Sequence, residues 1–328
     1  MATPTIETRA VFGDLAQRGA IAKFADVFDQ SLMVADNLEV LQKVFKVENT
    51  TDSIIRDTSV VGLGLFSEVS EGDAYDEDSN MVGYETVYTV KNLGKTVTVT
   101  KNRIEDSDYK RELDTFRHAA VAARLTKAKY IFNVLNGSRT TAVTNNSYTL
   151  YRMADAVALA SVSHPRRDGG TAQSNASATG VTLTELNLET GRLALVKQLT
   201  DRGLPIEFMG KVTLVVPDDL EKDATIFANS NLRPTTANND LNFYEGKIDV
   251  LSSKWLNSAN GGSSTAWYLV DQNIAQLKLY IRQDAQFYST VEAKTRNVIN
   301  DIDLRLAAGH SDWRGTWVSA GDGAAYNG

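Results

Sequence analysis

Apolar residues recur at two different spacings along the first hundred residues. Over residues 21–45 they return every three or four positions, which predicts one or two amphipathic helices in an N-terminal arm. Over residues 62–104 the pattern changes to alternation, and two β-rich runs flank Asn92, Leu93 and Gly94. Alternation on both sides of a short turn sequence predicts a β-hairpin whose turn lies at these three residues.

The strongest helical pattern covers residues 106–137, where the first glycine or proline is Gly137. Aspartate and serine at the start of this stretch can cap a helix, and the apolar residues that follow have helical spacing. A helix of about 29 residues would be about 43 Å long, which suits a structural spine. The residues expected on its buried face are Val121, Leu125, Ala128, Phe132 and Leu135.

Two contrasting stretches follow the predicted spine helix. Residues 163–180 are rich in glycine, serine and asparagine, which predicts a loop that is either exposed or in contact with another subunit. Thr182 and Glu185 form a capping-box sequence, so a second helix is expected from Thr182 to Gly203.

The rest of the chain has mostly strand patterns. Residues 211–216 have the pattern of a buried strand, Pro217 is expected to begin a helix, and residues 266–271 predict a further strand. Alternation over 302–306 and again over 313–317 predicts an antiparallel pair of strands joined by a turn. The mixture of helices and strands indicates an α+β fold.

Composition limits the classes of protein to be considered. The chain has 328 residues, 42% of them hydrophobic, and it contains no cysteine, so neither disulfides nor thiolate chemistry can contribute. A formal net charge of −7 argues against a protein that mainly neutralises phosphates. No apolar run is long enough for a membrane span, and the N-terminus lacks the pattern of a signal peptide, so no membrane partner is expected.

Charge is distributed unevenly around the predicted hairpin. Between Arg56 and Lys91 there is no Lys or Arg, whereas acidic residues are frequent, and the following stretch is basic. One interpretation is a solvated hairpin with pairing between its strands, and the other is a long hairpin that lies on another subunit. Under the second interpretation the candidate intersubunit contacts are Glu68, Glu71, Asp73, Asp76, Glu77, Asp78, Lys91, Lys95, Lys101 and Arg103.

The sequence contains no motif that predicts a catalytic, cofactor or metal site. His118, His164 and His310 lie far apart, so each is expected at the surface or in a hydrogen bond. Neither a GxSxG nucleophile elbow nor a GxxxxGK[ST] phosphate loop is present. A calcium loop is excluded because Met81 stands where glycine is needed and Val87 where a bidentate glutamate is needed.

The order of these stretches resembles one known family, the major capsid proteins of tailed bacteriophages with the Hong Kong 97-type fold. Residues 62–108 resemble its extended loop, with Glu71 and Gly72 before the strands. The exit toward the spine helix contains Gly94, Thr100, Lys101, Ile104, Glu105 and Asp106. Residues 211–230 are similar to the strand, proline and helix of its axial domain, and residues 241–271 to the later axial strands.

The resemblance implies a domain organisation. The expected parts are an N-terminal arm (1–60), an extended two-stranded loop (61–105), a spine helix with the peripheral domain (106–150), an axial domain (151–285), and return strands of the peripheral domain with a C-terminal tail (286–328). In this arrangement Trp313 and Trp317 would lie in the closing strand of the peripheral domain, packed on its sheet or on the spine helix.

The resemblance also implies a function without enzymatic activity or cofactors. Copies of the chain would assemble as hexamers and pentamers into an icosahedral shell that encloses double-stranded DNA without sequence-specific binding. A separate scaffold protein, a portal and a decoration protein are expected partners. The location would be the virion, with assembly in the cytoplasm of the bacterial host.

Two other functions stay open on the sequence alone. An encapsulin-like compartment would share the fold but enclose protein cargo. A soluble enzyme or binding domain would form a monomer or a small oligomer instead of a shell. Particle size separates the soluble enzyme or binding domain from the two shell-forming functions, the phage capsid and the encapsulin-like compartment.

Overall fold

The computed structural model describes residues 6–35, 42–106, 110–140, 142–145, 148–152, 155–208, 211–232 and 241–325. Within these ranges the α-helices are α1 (Ile6–Ala35), α2 (Lys101–Glu105), α3 (Lys110–Asn136), α4 (Glu185–Val196) and α5 (Glu221–Asn229). None of the described helices is long and apolar enough to cross a membrane.

The strands of the described residues form three four-stranded sheets. The spine sheet has the order β1 (Lys46–Asn49), β10 (Leu277–Val291), β11 (Val298–His310) and β4 (Lys91–Val99). The axial sheet has the order β12 (Thr316–Ser319), β9 (Trp267–Val270), β7 (Val212–Val216) and β8 (Ile248–Ser252). The loop-base sheet has the order β2 (Ile54–Val61), β3 (Met81–Thr89), β6 (Tyr148–Arg152) and β5 (Ala142–Asn145).

Two hydrophobic clusters hold these elements together. The larger cluster joins α1 and α3 to the spine sheet, with Phe24 and Phe116 rings 4.7 Å apart at the contact of the two helices. The smaller cluster lies between the axial sheet and the helices α4 and α5, and includes Trp267 and Trp317 with ring centroids 4.6 Å apart. All five residues of β7 are buried, which fits its continuous apolar sequence.

Helix α3 confirms the predicted spine, and its buried face is rotated from the predicted one. Phe132 and Leu135 are buried as expected, but Val121 and Leu125 are both more than one third exposed. The buried stripe instead follows Phe116, Ala120, Ala123, Tyr130, Ile131 and Val134. The prediction for Val121 and Leu125 is wrong because α1 covers the side of the helix that carries Phe116.

The predicted hairpin turn at Asn92, Leu93 and Gly94 is wrong. These residues lie inside β4, where Leu93 is opposite Leu304 of β11. Strands β3 and β4 belong to different sheets, so the chain leaves one sheet and enters the next at Val90. Long-range pairing with β11 overrides the local preference of the sequence for a turn.

The two-stranded element is formed instead by β2 and β3. Their antiparallel register runs from the pair of Ile54 and Thr89 to the pair of Val61 and Met81. Residues 62–80 connect the two strands, and we call them the extended segment. The paired part therefore begins at Ile54, before the predicted boundary at residue 61.

The C-terminal strands also differ from the prediction. β11 pairs with β10 and β4, whereas β12 pairs with β9, so the two predicted partner strands lie in different sheets. Trp317 consequently packs on Trp267 in the axial sheet, and β12 is not a closing strand of the spine sheet. The chain crosses between the sheets at residues 311–315, which include Trp313.

The second predicted helix is confirmed with changed bounds. α4 covers Glu185–Val196, and Thr184 is its N-cap, because the Thr184 side chain accepts a hydrogen bond from the N–H of Asn187. Thr182 was the predicted cap, but it lies two residues outside. The predicted strand at 211–216 and the helical start after Pro217 are both present as β7 and a 3-10 turn that continues into α5.

Candidate assembly interface

The extended segment contains all six acidic residues that the sequence marked as contacts. Glu68, Glu71, Asp73, Asp76, Glu77 and Asp78 lie between β2 and β3, and each is exposed. Every residue of the segment except Gly64 is exposed. A stretch with so little contact to its own chain has its surface available for another subunit.

The four basic candidates lie elsewhere. Lys91 and Lys95 are on β4, and Lys101 and Arg103 are on α2. Lys101 forms an ion pair with Glu105 at 3.4 Å, and Arg103 forms one with the buried Glu112.

Within the part of the chain that the structure describes, no ion pair joins these four basic residues to the six acidic ones. The predicted pairing between adjacent strands of the hairpin is therefore wrong, because β3 and β4 are not neighbours. A cross-strand ion pair does form between the neighbouring strands β2 and β3, where Arg56 Nη1 lies 2.6 Å from Glu85 Oε1.

Two of the six acidic residues are bound within the chain. Asp78 pairs with Arg202, whose Nη1 lies 3.0 Å from each carboxylate oxygen. Asp76 accepts a hydrogen bond from the Ser67 hydroxyl at 2.6 Å. In the described residues Glu68, Glu71, Asp73 and Glu77 make no ion pair, so their carboxylates are available to a neighbour.

Sequence reasoning missed the apolar side chains of the same segment. Leu65 is 83% exposed, Phe66 is 97% exposed and Tyr75 is 85% exposed. Large apolar side chains on a segment without a core of its own are typical of a surface that another protein covers. The signal was present in the apolar run Leu63–Phe66, which interrupts an otherwise polar loop.

The base of β2 and β3 is fixed to the spine sheet by a polar network. Lys278 of β10 forms an ion pair with Asp57 of β2, and the Ser311 hydroxyl donates to the same carboxylate. The buried Tyr88 hydroxyl lies 2.6 Å from the Ser311 hydroxyl, and burial raises the pKa of Tyr88 well above its usual value. This network joins β2 and β3 to β10 and to Ser311, which directly follows β11.

A second polar cluster lies where the chain crosses between the sheets. His164 contacts Asp155 through Nδ1 at 3.0 Å and the Asn175 side-chain oxygen through Nε2 at 3.1 Å, and its ring stacks on Trp313 at 4.4 Å. Burial and the nearby His164 lower the pKa of the fully buried His310 well below its usual value. Both histidines are therefore buried parts of the packing between the two sheets.

No grouping of three or more potential metal ligands is present among the described residues. The cavity beside the second cluster, lined by Tyr84, Asp155, Trp313 and Arg314 among others, has a volume of about 10 Å³, which is about the size needed for one water molecule. The extended segment therefore has polar anchors at its base and exposed large apolar side chains, which include Leu65, Phe66 and Tyr75.

Several solved structures share this fold at low sequence identity. The capsid of an empty GTA particle matches with a TM-score of 0.55 and 12% identity, over 86% of this chain and 89% of that chain. Mycobacterium phage Patience matches with a TM-score of 0.55 and 13% identity, over 93% of this chain and 89% of that chain. A virus-like particle from Pyrococcus furiosus matches with a TM-score of 0.51 and 10% identity, over 92% and 99%.

These similarities establish the α+β architecture as a Hong Kong 97-type capsid fold. No curated protein matches the sequence. A family profile described as phage capsid protein matches residues 83–319, which is more than half of the chain. This match supports a phage capsid over the encapsulin-like alternative. The chain therefore belongs to the phage capsid protein family and is a major shell protein of a phage capsid, located in the virion.

Proposed function

We propose that copies of this chain assemble as hexamers and pentamers into an icosahedral shell that encloses double-stranded DNA. The observation that carries this proposal is the set of exposed apolar side chains on the extended segment, Leu65, Phe66 and Tyr75. A second copy of the chain is the proposed occupant, because a shell of identical subunits places the same segment beside every neighbour.

The energetic contribution of one such contact is modest. Burying a phenylalanine side chain completely contributes about 1.5–3 kcal/mol, and Phe66 has almost its whole surface to bury. Every subunit of a closed shell makes the same contact, so the modest energy of one contact is repeated throughout the particle. Weak repeated contacts also allow errors of assembly to be corrected.

Charge can set the register of this contact. The free carboxylates of Glu68, Glu71, Asp73 and Glu77 are proposed to face basic residues of the neighbouring subunit. Lys91, Lys95, Lys101 and Arg103 are the candidates, and of these Lys101 and Arg103 would have to exchange or share their present partners Glu105 and Glu112. Exposed ion pairs contribute only about 0–1 kcal/mol each, so their proposed role is the choice of partner and orientation.

We propose that the closed shell retains the DNA by enclosing it, without sequence-specific binding by the chain. Affinity for DNA depends on Lys and Arg contacts to phosphates, and this chain has a net charge of −7. Weak attraction to the inner wall suits DNA that must later leave the particle. We propose no enzymatic activity for the chain. Its proposed partners during assembly in the host cytoplasm are a separate scaffold protein, a portal and a decoration protein.

Particle size tests this proposal. We expect the expressed chain, alone or with its scaffold protein, to form megadalton particles in size-exclusion chromatography and negative-stain microscopy. Phe66→Ser is expected to prevent closed shells without changing the melting temperature, because the ring contacts little of its own chain. Leu186→Ser is a matched control, since Leu186 is 77% exposed but lies on the regular helix α4.

The same measurements can contradict the proposal. A wild-type chain that stays monomeric when the scaffold protein is co-expressed would exclude a shell-forming protein. Normal shells from Phe66→Ser would show that the exposed ring of Phe66 is not an assembly contact. Equal loss of shells in Phe66→Ser and Leu186→Ser would remove the specific role of the extended segment.

A further inference from the structure

The extended segment has no backbone ladder between its two limbs, but two side-chain hydrogen bonds and a backbone turn connect them. The Gly64 N–H donates to Asp78 Oδ2 at 2.7 Å near the base. Farther out, the Ser67 hydroxyl donates to Asp76 Oδ2 at 2.6 Å. At the tip, the Asp73 N–H donates to the Ser70 carbonyl at 3.1 Å. The segment is therefore a narrow paired loop and not two independent strands.

The base of this loop is also tied to a different part of the chain. Arg202, in the turn that follows α4, reaches both carboxylate oxygens of Asp78 and donates to the Ser79 carbonyl at 2.5 Å. Arg167 donates to the Val82 carbonyl at 3.3 Å, and its guanidinium carbon lies 5.0 Å from the centre of the Tyr84 ring. Two arginines from neighbouring loops thus hold the limb that leads into β3.

The partial shielding of the central pair favours a defined geometry. The Arg202 side chain is 19% exposed and that of Asp78 is 38% exposed, compared with 59% and 43% for the Lys211–Asp249 pair. The Gly64 amide and then the Arg202 guanidinium hold the pKa of Asp78 below its usual value. The carboxylate therefore stays ionised at neutral and mildly acidic pH.

We infer that Asp78 and Arg202 are positioning residues, which hold the extended segment at a fixed angle on its own subunit so that its exposed apolar side chains are ready to bind a neighbour. This inference rests on the proposed shell function, because it assigns the segment's direction a role in assembly. It also changes the role of Asp78, which the sequence marked as a contact to another subunit.

Pre-organisation is the physical reason that such a pair matters. A segment that is free before association loses conformational freedom when it binds, and this loss opposes binding. A segment that is already held by Gly64, Asp78 and Arg202 has less freedom to lose. Subunits with the intact pair should therefore assemble at a lower protein concentration than subunits without it.

Limited proteolysis of unassembled subunits measures the order of the segment directly. Trypsin has no site between Arg56 and Lys91, but a glutamate-specific protease can cut after Glu68, Glu71 and Glu77. The measurement is made at a concentration below that at which particles form. Cleavage in this regime reports how often the segment opens.

Charge reversal and its restoration test the pair itself. We expect Arg202→Asp and Asp78→Arg each to speed cleavage by about tenfold or more and to raise the protein concentration needed for particles. The double variant Arg202→Asp/Asp78→Arg should restore both properties, because the pair re-forms with reversed charges. Lys211→Asp is the matched control, since it breaks the exposed Lys211–Asp249 pair and changes net charge by the same amount.

The result that would overturn the inference is cleavage of Arg202→Asp at the same rate as Lys211→Asp. Asp78→Ala provides a second route if Arg202→Asp fails to fold, because Asp78 lies in an exposed segment outside every sheet. Faster cleavage with an unchanged assembly concentration would also reject the positioning role. If the wild-type chain never forms particles, the proposed shell function fails, while the cleavage rates still decide whether the pair orders the segment.

Discussion

Residues 62–80 and 163–180 are both irregular loops with many small and polar residues, but their surroundings are opposite. In the extended segment every residue except Gly64 is exposed, whereas His164, Asn175, Ala176 and Gly180 of the second loop are buried. Composition alone therefore does not decide whether a loop is part of the core.

The difference is in how the backbone groups are satisfied. Asn175 accepts a hydrogen bond from the Ser161 N–H at 2.9 Å and donates to the Leu159 carbonyl at 2.7 Å and to the Thr316 hydroxyl at 3.1 Å. Buried backbone groups need such partners, and one amide side chain supplies several of them here. The backbone of the extended segment is exposed, so its groups can also bond to solvent and do not depend on a buried side chain of this kind.

The largest expected effect in this comparison is that of Trp313→Ala. Trp313 is 4% exposed and stacks on His164 of the second loop. Removing a buried tryptophan side chain costs about 3–5 kcal/mol, so we expect a loss of this size in the free energy of unfolding. Urea denaturation of unassembled subunits measures it.

Tyr75→Ala in the extended segment is the control for Trp313→Ala. Its ring is exposed, so a change within about 0.5 kcal/mol is expected. Equal destabilisation by the two substitutions would mean that the extended segment is packed as firmly as the second loop, contrary to the structure.

A somewhat smaller effect is expected from Asn175→Ala. The substitution leaves the Ser161 N–H and the Leu159 carbonyl without this partner, and each buried group left unsatisfied costs about 1–3 kcal/mol. Losses above about 4 kcal/mol are exceptional for a single substitution, so we expect a loss of about 2–4 kcal/mol by the same denaturation experiment. Ser67→Ala, which removes an exposed hydrogen bond of the extended segment, should change stability by less than about 0.5 kcal/mol. A ranking in the opposite order would contradict the comparison.

The smallest effect is a dependence of stability on pH that resides beside the second loop. His310 has a pKa well below its usual value, first because of burial and then because of His164, which itself contacts Asp155. Below about pH 6.5 the unfolded chain binds a proton at this position that the folded chain does not, so stability falls as pH decreases. The slope is at most about 1.4 kcal/mol per pH unit for one group.

Denaturation at pH 7.5 and pH 5.5 tests this dependence. His310→Gln should reduce the loss of stability between the two pH values. The extended segment contains no histidine and should not contribute. An unchanged pH slope in His310→Gln would show that other groups cause the acid sensitivity.

The local sequence pattern was sufficient to predict those helices and strands that form from a continuous run of suitable residues. The spine helix α3 follows from a long stretch without glycine or proline, and β7 from a short apolar run before Pro217. The acidic extended segment was also predicted, because a run without Lys or Arg is visible in the sequence itself.

Long-range pairing explains the predictions that were wrong. Asn92 and Gly94 have the composition of a turn, but β11 supplies a complete partner strand for them. β12 follows β11 directly and still joins β9, because the crossing at Trp313 turns the chain toward the axial sheet. The Arg202–Asp78 pair joins residues that are distant in sequence, so no spacing rule could indicate it.

The pairing of β10, β11 and β12 has a consequence for the order of folding during synthesis. Within the described residues, β1 pairs only with β10 and β4 only with β11, while β12 supplies the outer strand beside β9. All three late strands lie after residue 276. A growing chain therefore carries α1 and the spine helix α3 without the spine sheet until residues 277–310 have been made. A chain that stops before β10 lacks the partner strands of β1 and β4, and with them the sheet on which both helices pack.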